Sequence, residues 1–583
     1  MRYDEVNGLY KIGDNCVACH NCAMECPRQA IRYMGLKYEI DQEQCIECGL
    51  CAKVCHISNI TDVDHPEVPV PHAPVELECD VLVCGGGTGL VAAVRAAQAG
   101  KKVIVLEAAK KLGGNTDYAH GYFPVHCVLH RRHGLPDCSE EAVEFYYSLG
   151  EGKVDKELIR TAVYGCSQYF DWLVENCPES ADEVLFEPLP RPEHRGVSYS
   201  NAWFEFITRR WDNLLCRDNA IGPGWGGTHT KMKMLKLIEE QSLDVTIYLE
   251  TRARHLLLDD AGAVCGVVAS DPGGEVRVRA KAVVLSTGGF GRSDEKMERY
   301  CPQLNFFTGK TPVVRFSVPT DRGDAIDMLR ELGVEPDPEK MFCSMWGPSH
   351  HPFSWVVMQV AGGFDTVQVN AEGRRWIAEQ RLVLDQSTRL DIRKQPREIS
   401  WTIITQEMID RNVEEWRQRS PHDAWKFEYV QYDLDDEQTF PADSVTGAPV
   451  RKADTLEELA EQIQVPADVF MDTMNRYNRY CRQGKDEEFG KPAEFLAPIE
   501  QGPFYAIYGQ CFSEAAMGGL RVTPKCQVTR EDGTVIPGLY GTGDATSAMH
   551  RRDGLAPVGE LTWAVASTYV AGGEAAAYVD ALA

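Results

Sequence analysis

The chain has 583 residues and a formal net charge of −27 at pH 7. Its length allows several domains, and its negative charge argues against nucleic acid or an anionic membrane surface as a partner. No apolar run reaches the length of a membrane span, and residues 1–10 lack the basic, apolar pattern of a signal peptide. Eight of the 21 cysteines follow a metal-binding pattern, which indicates a reducing, anaerobic cytoplasm where thiols stay free or bind metal.

The first 60 residues contain two copies of a cysteine spacing that is typical of iron–sulfur ligands. Each copy follows C-x2-C-x2-C-x3-C. In two-cluster ferredoxins the fourth cysteine of each copy binds the other cluster. Zinc sites normally use two separated cysteine pairs, so a pair of zinc sites is a much weaker alternative. We therefore predict two [4Fe–4S] clusters, one bound by Cys16, Cys19, Cys22 and Cys55 and the other by Cys45, Cys48, Cys51 and Cys26.

This segment resembles bacterial two-cluster ferredoxins, in which a proline follows the fourth cysteine of each copy. Pro27 follows Cys26 in that way, whereas His56 stands at the second position. Residues 61–76 come next and are rich in proline, acids and histidine. That composition predicts an extended, semi-rigid linker.

Residues 79–116 predict a dinucleotide-binding site. An apolar strand leads into a glycine cluster with Gly86, Gly87 and Gly89, and a helix-forming stretch, a second apolar strand and Glu107 follow. In this arrangement backbone N–H groups approach a pyrophosphate at a helix N-terminus, and the acid, about 20 residues on, binds a ribose hydroxyl. Because all of these elements occur in the required order, the motif is more specific than its glycines alone.

Three later motifs indicate a flavin rather than a nicotinamide site: GGNT at 113–116, VVLSTGGFG at 283–291 and VIPGLYGTGDAT at 535–546. With the first motif they resemble the flavoprotein superfamily of fumarate reductases and 3-ketosteroid dehydrogenases. The resemblance covers roughly residues 77–583 and implies FAD as the cofactor. The cofactor-binding residues that it implies are Gly86, Gly87, Gly89, Glu107, Gly114, Asn115, Thr116, Gly288, Gly289, Gly543, Asp544 and Leu555.

Two departures from the superfamily affect this site. The first glycine of the motif aligns with Cys84, and we expect the adjacent Gly85 to absorb the backbone strain. Members with covalently attached flavin carry a histidine at the position of Asn115. We therefore expect FAD to be bound without a covalent link.

The resemblance implies a multidomain fold of the α+β and α/β classes. A small ferredoxin-like domain occupies residues 1–60, and the linker spans 61–76. A Rossmann-type FAD-binding domain is formed by residues 77–315 and 505–583. An α+β capping domain, inserted at 316–504, is expected to lie over the flavin and to form part of the substrate site.

The dicarboxylate-binding residues of fumarate reductases are missing at three aligned positions. The arginine that donates the proton in that family aligns with Val383, its histidine with Ala515, and its C-terminal arginine with Gly554. Arginine is the natural clamp for a carboxylate. We therefore do not expect fumarate to be the substrate.

Candidate proton donors remain for another substrate, although each has a purely structural alternative. They are Arg381, Tyr505, His350 and His351, of which the histidines belong to an aromatic stretch that also suits core packing. His229 and Lys231, at the start of a predicted helix, are candidates near the flavin, and solvated helix-end residues are an equal alternative.

The sequence favours an oxidoreductase with FAD and two [4Fe–4S] clusters as cofactors. Electrons from a one-electron donor protein would pass through the clusters to FAD, and hydride transfer from flavin N5 would reduce an activated C=C bond of a small enone or enoate. A 3-ketosteroid-type dehydrogenase running the reverse reaction is one alternative. An electron-transfer subunit of a larger redox complex is another.

Overall fold

The structure is a computed structural model. It describes residues 10–16, 21–24, 26–34, 37–55, 57–63, 69–119, 121–150, 152–188, 202–206, 226–304, 314–349, 365–384, 391–419, 450–546 and 558–583. Four residues that the sequence assigns to sites, Cys19, His350, His351 and Leu555, lie outside the described residues.

The described strands are short at the N-terminus and longest in two sheets that follow. In chain order they are β1 (Tyr10–Ile12), β2 (Ile31–Tyr33), β3 (Tyr38–Ile40), β4 (Ile60–Asp62), β5 (Val75–Cys84), β6 (Val103–Leu106), β7 (Val184–Pro188), β8 (Ala202–Phe206), β9 (Val245–Tyr248), β10 (Arg252–Leu258), β11 (Val264–Asp271), β12 (Gly274–Leu285), β13 (Val314–Arg315), β14 (Phe342–Ser349), β15 (Val367–Asn370), β16 (Ser400–Thr405), β17 (Val450–Ala453), β18 (Phe504–Met517), β19 (Arg521–Val522), β20 (Gln527–Thr529) and β21 (Val535–Gly541).

The described helices range from single turns to 22 residues. None of those in the described part of the chain is long and apolar enough to cross a membrane. In chain order they are α1 (Asn21–Met24), α2 (Leu50–Val54), α3 (Gly89–Gln98), α4 (Val128–Arg132), α5 (Ser139–Leu149), α6 (Lys156–Asn176), α7 (Ser180–Glu183), α8 (Gly226–Glu240), α9 (Asp294–Tyr300), α10 (Asp324–Glu331), α11 (Arg381–Leu384), α12 (Gln406–Arg419), α13 (Leu456–Gln462), α14 (Ala467–Gln483) and α15 (Glu560–Ala581).

The N-terminal region forms two small antiparallel pairs, β1 with β4 and β2 with β3, around the two short helices α1 and α2. Its apolar core is small and includes cysteine side chains as well as Ile12, Ile31, Tyr38 and Ile60. A core of this size is typical of small domains that depend on bound metal for stability.

A nine-stranded sheet forms the centre of the molecule, and its middle strands are parallel. The order β19-β20-β21-β12-β5-β6-β9 gives the main path, and the hairpin β10–β11 extends it through β12. Strand β12 pairs in parallel with β5 and β21, and β6 pairs in parallel with β5 and β9. All four residues of β6 are buried, which explains why the sequence shows a continuous apolar run there.

Helix α3 follows β5, as the sequence predicts, and packs against the C-terminal helix α15. The two helices approach closely, since a Cβ atom at Gly572 would lie 2.6 Å from the carbonyl oxygen of Ala92. Eight of the ten residues of α3 are buried, and most are Ala, Leu or Val. Close packing of small side chains therefore holds the start of α3 in a fixed position next to β5.

A second, six-stranded sheet lies in the region predicted as the cap. Its main path is β13-β18-β16-β15, and β14 and β17 also pair with β18. Strand β18 has 14 residues; its first part pairs with β16 and β17, and its second part pairs with β13 and β14. One strand therefore runs from the cap core to the region next to the central sheet.

Four charged side chains form a closed cluster within the segment predicted as a cap, residues 316–504, and we call it the cap ion cluster. Arg375 contacts both oxygens of Glu379 at 2.8 Å and Asp486 at 2.8 Å, and Lys491 lies 3.2 Å from Glu379. All four side chains are at most 2% exposed. Burial opposes ionisation of Glu379, but Lys491 and Arg375 outweigh it and hold its pKa below the usual value. The cluster contains two cations and two anions, so its charges are balanced.

Candidate functional site

A cleft opens at the carboxyl ends of the parallel strands of the central sheet. Cys84 ends β5, Leu106 ends β6, Ser286 follows β12 and Thr542 follows β21, and all four line the cleft. Ligands of open α/β sheets bind at this edge, where the strand order reverses and helix N-termini point toward the ligand. The position of the cleft is therefore that of a nucleotide-type cofactor site.

Most of the predicted cofactor-binding residues line this cleft. Two described ones do not: a Cβ at Gly89 would lie 2.9 Å from Ser286 Cβ, and a Cβ at Gly289 would lie 1.7 Å from the carbonyl oxygen of Ala516. These two glycines lie behind the wall and permit close packing of the elements that form it. The predicted residues that line the cleft are Gly86, Gly87, Glu107, Gly114, Asn115, Thr116, Gly288, Gly543 and Asp544.

The glycine turn after β5 tolerates Cys84 because the special conformation belongs to the next residue. Gly85 has φ +120°, and a Cβ there would lie 2.0 Å from the carbonyl oxygen of Ser286. Cys84 itself remains the last residue of a buried strand and accepts a hydrogen bond from Ser286 N at 2.8 Å. The expectation that Gly85 carries the strain thus agrees with the geometry.

Glu107 closes one side of the cleft with a buried carboxylate. Its Oε2 accepts a hydrogen bond from Gly86 N at 2.8 Å, and its Oε1 accepts one from Ala109 N at 2.7 Å. Burial raises the pKa of Glu107, although these N–H groups act in the opposite direction. The carboxylate is oriented by the glycine turn itself, and a carboxylate of this kind is a suitable acceptor for ribose hydroxyls.

The loop with Gly114, Asn115 and Thr116 is held from both sides. Asn115 Oδ1 accepts a hydrogen bond from Val318 N at 2.8 Å. Behind the loop, Lys231 Nζ donates to Asp117 Oδ2 at 2.6 Å, and both side chains are buried. Lys231 therefore supports the cleft wall and does not line the cleft, contrary to its place among the candidate flavin contacts.

His229 also lies away from the cleft. It is 1% exposed, and its Nε2 lies 3.2 Å from Glu183 Oε2. Burial lowers the pKa of His229, and the hydrogen bond to Glu183 partly offsets this effect. The prediction that His229 contacts flavin or substrate is therefore not supported by its position.

Asp321 is a buried carboxylate in the cleft wall that the sequence analysis missed. Its Oδ2 accepts a hydrogen bond from Gly291 N at 3.2 Å, and a Cβ at Gly288 would lie 3.0 Å from its Oδ1. Burial raises the pKa of Asp321 to about 6. Only the fold brings this residue, at the edge of the predicted cap, to the glycine turn after β12, so no local motif marks it.

A second, smaller cavity lies in the N-terminal region. The four cysteines predicted for one cluster, Cys26, Cys45, Cys48 and Cys51, all line it. Burial raises the pKa of Cys51 to about 11, and the other three thiols add to the effect because they are close. These four cysteines are therefore arranged around a common space, as ligands of one cluster must be.

Two cysteines of the other predicted set, Cys16 and Cys55, lie together in the small N-terminal core, where burial raises the pKa of Cys55. Cys22 is buried in the same small core. Within the described residues, no group of three or more His, Cys, Asp or Glu side chains is arranged to hold a single metal ion. A cluster is wider than an ion, so its ligands surround a cavity and do not converge on one point.

The two described proton-donor candidates do not line the cleft. Arg381 is exposed at the start of α11. Tyr505 is buried in the cap core, where its hydroxyl donates to Gln406 Oε1 at 2.5 Å. It is ten residues, or about 33 Å along β18, from Ala515, which lines the cleft. Tyr505 is thus a packing residue in this structure, and the other candidates, His350 and His351, lie outside the described residues.

Comparisons with known proteins agree with this geometry. Residues 80–556 match the family described as FAD binding domain, and residues 15–59 match the family described as 4Fe-4S dicluster domain. The structure of an open conformation of a flavocytochrome c3 fumarate reductase superposes with a TM-score of 0.65 at 22% identity, covering 87% of this chain and 79% of that one. At this identity the likeness shows the fold alone.

Three curated relatives match most of the chain at low identity. Urocanate reductase of Eggerthella lenta is 26% identical and covers 82% of this chain and 72% of its own. 4-Oxocyclohexanecarboxylate 2-dehydrogenase of Sinomonas cyclohexanicum is 26% identical over 86% and 94%. Vinyl phenol reductase of Lactiplantibacillus plantarum is 23% identical over 81% and 90%. The family match spans most of the chain and coincides with the cleft, so this protein belongs to the FAD-binding-domain family of flavoproteins and carries a 4Fe-4S dicluster domain at its N-terminus.

Proposed function

We propose that this protein reduces an activated C=C bond of a small enone or enoate other than fumarate, with electrons from a one-electron donor protein that pass through two [4Fe–4S] clusters to non-covalently bound FAD. The observation that carries the proposal is the union of an FAD-type cleft and a cysteine-lined cavity in one chain. Two relatives, named for urocanate and vinyl phenol, are reductases of substrates that contain a C=C bond.

The cleft residues fit FAD in their chemistry. The glycine turn with Gly86 and Gly87 lies at the N-terminus of α3, where N–H groups suit a pyrophosphate, and Glu107 suits a ribose. Gly543 and Asp544 close the opposite wall beside α15. When bound, the flavin supplies hydride transfer, and the protein supplies orientation, exclusion of water and a proton.

The cleft wall also supports a substrate other than a dicarboxylate. Ala515 lines the cleft at the position where the resemblance places a histidine of fumarate reductases. A methyl group can neither donate a hydrogen bond to a carboxylate nor balance its charge. The proposed substrate is therefore apolar near this wall, as an enone or a monocarboxylate with an aromatic ring would be.

The test is anaerobic turnover of the holoprotein, reduced with methyl viologen, on a panel of enones and aryl enoates, with fumarate as the comparison. We expect at least one alkene to be consumed about 100-fold faster than fumarate, equivalent to roughly 3 kcal/mol in the barrier. Methyl viologen supplies electrons only, so the N5 hydrogen and the proton both come from water, and turnover in D2O should place one deuterium on each carbon of the former C=C bond. Fumarate as the best substrate, or no turnover across the panel, would refute the proposal.

A matched pair of glycine variants ties turnover to the cleft. A Cβ at Gly87 would lie 2.4 Å from Thr116 Oγ1, whereas one at Gly573 in α15 would meet nothing closer than 3.6 Å. Gly87→Val should therefore abolish FAD retention and turnover together. Gly573→Ala should leave both unchanged.

A dehydrogenase that runs in the opposite direction is a second candidate. Among the three relatives, 4-oxocyclohexanecarboxylate 2-dehydrogenase is matched over the largest share of its length, 94%. Reduction potentials of the iron–sulfur clusters against that of the flavin separate the two directions. Clusters at lower potential than the flavin favour reduction of the substrate.

A further inference from the structure

Lys111 connects the wall of the FAD cleft to the N-terminal cysteine region. Its Nζ donates to the carbonyl oxygen of Cys55 at 2.8 Å and to that of Lys53 at 3.2 Å. Lys111 precedes by two residues Gly113, which lines the cleft. A single half-buried side chain thus links the backbone of a predicted cluster ligand to the cofactor loop.

Arg292 makes a second connection of the same kind. Its Nη2 donates to the carbonyl oxygen of Asn15, the residue before Cys16, at 3.3 Å. The same guanidinium donates from Nε to the carbonyl oxygen of Ser317 at 2.6 Å and from Nη2 to that of Arg315 at 2.7 Å. The residues on either side of Ser317, Phe316 and Val318, both line the cleft.

Both connections end at the same cysteine set. Lys111 contacts Cys55 itself, and Arg292 contacts the neighbour of Cys16. The cavity of the other set, by contrast, has all of its described lining residues between Tyr10 and Cys51, and its Cys48 is exposed. The two predicted clusters are therefore not equivalent with respect to the cleft.

We propose that the predicted ligand set that includes the described residues Cys16, Cys22 and Cys55 holds the inner cluster, which passes electrons to FAD. The set Cys26, Cys45, Cys48 and Cys51 then holds the outer cluster, which receives electrons from the donor. Lys111 and Arg292 are positioning residues that hold the inner set against the cleft. This order rests on the proposed presence of both clusters and FAD, and it adds the direction of the path and the residues that fix it.

The electron balance follows from the chemistry of the substrate. Each transfer takes one electron from the reduced inner cluster to the flavin, and a one-electron donor protein replaces it through the outer cluster. Two transfers, together with two protons, match the two electrons and two protons that reduction of one C=C bond consumes. Because Cys48 is the exposed cysteine of the outer set, we expect the donor protein to dock near it.

The decisive variant removes both connections without touching a cysteine. In the holoprotein, Lys111→Met with Arg292→Met should leave iron and FAD content unchanged. The rate of electron arrival at the flavin after flash photoreduction with deazariboflavin should fall about tenfold or more, because several charge-assisted hydrogen bonds that set the separation are lost. The control pair, Lys110→Met with Arg299→Met, changes exposed neighbours that pair with Glu250 and Glu335, and should keep the wild-type rate.

A second measurement identifies which cluster is involved. Cys48→Ser alters one ligand of the outer set, so the EPR signal that it changes belongs to the outer cluster. In the Lys111/Arg292 double variant the reduction potential of the other signal should shift, and the Cys48-sensitive signal should not. A shift confined to the Cys48-sensitive signal, or an unchanged transfer rate, would overturn the assignment. The transfer rate needs no alkene, so failure of every organic substrate would refute the proposed reaction and leave this inference intact.

Discussion

The carboxylates of the cap ion cluster and that of Asp321 in the wall of the FAD cleft are all buried, but their surroundings differ. Glu379 and Asp486 share their interior with Arg375 and Lys491, and the pKa of Glu379 is low. Asp321 in the cleft wall is equally inaccessible, receives an N–H donor, and has its pKa raised to about 6. A charge-balanced cluster stabilises the fold, whereas a buried carboxylate whose pKa is raised toward neutral pH is typical of functional sites.

The largest expected effect comes from unbalancing the cap ion cluster. Arg375→Met leaves two buried carboxylates with only Lys491, and we expect a loss of about 3–5 kcal/mol in the free energy of unfolding. Urea denaturation monitored by tryptophan fluorescence measures this loss. The adjacent Arg374→Met, at a side chain that is 59% exposed, should change stability by less than about 0.5 kcal/mol. Equal effects from the two variants would show that the cluster is not the source of the loss.

A smaller and pH-dependent effect is expected at Asp321. An unfolded aspartate titrates near pH 3.8, whereas Asp321 in the folded protein titrates near pH 6. Between these values the folded protein retains a proton that the unfolded chain releases, so the stability contributed by Asp321 falls as the pH rises and reaches its minimum above pH 6.

Asp321→Asn removes this titration. The variant should gain about 1.4 kcal/mol relative to wild type between pH 5 and pH 8, measured as the difference in urea stability. If the stability difference between variant and wild type stays constant or decreases from pH 5 to pH 8, Asp321 is already ionised in the folded protein throughout this range.

The smallest effect is expected where a charge pair lies at the surface. Lys525 and Glu574 are 3.2 Å apart, with side chains 64% and 32% exposed. Lys525→Ala should change the free energy of unfolding by less than about 1 kcal/mol, because water screens the pair in both states. If Lys525→Ala lost as much stability as Arg375→Met, charge pairing rather than burial would determine the change in the free energy of unfolding.

Sequence motifs correctly indicated those parts of the site whose residues lie close together along the chain. The turn after β5, Glu107 and the loop around Asn115 lie close together in sequence, and their order alone indicates a nucleotide cleft. The cysteine spacing likewise predicted which four side chains surround the N-terminal cavity.

Residues whose role depends on long-range packing were not predictable in this way. Asp321 reaches the cleft only because the chain returns to the central sheet there, and no motif in the adjacent sequence indicates this. The sequence makes Tyr505 a candidate proton donor, yet it lies on the part of β18 that pairs with β16 and β17, away from the cleft. Gly89 and Gly289 match the motif, but at these positions a side chain would collide with residues packed behind the cleft wall.

The continuity of β18 has a mechanical consequence. This strand carries cap residues at one end, where Phe504 pairs with both Thr405 and Ala453, and a cleft residue, Ala515, near the other. Ladder hydrogen bonds hold both ends of the strand, so β18 joins the two regions directly. We expect a rotation of the predicted cap that keeps these hydrogen bonds to move Ala515 as well, and with it one wall of the cleft.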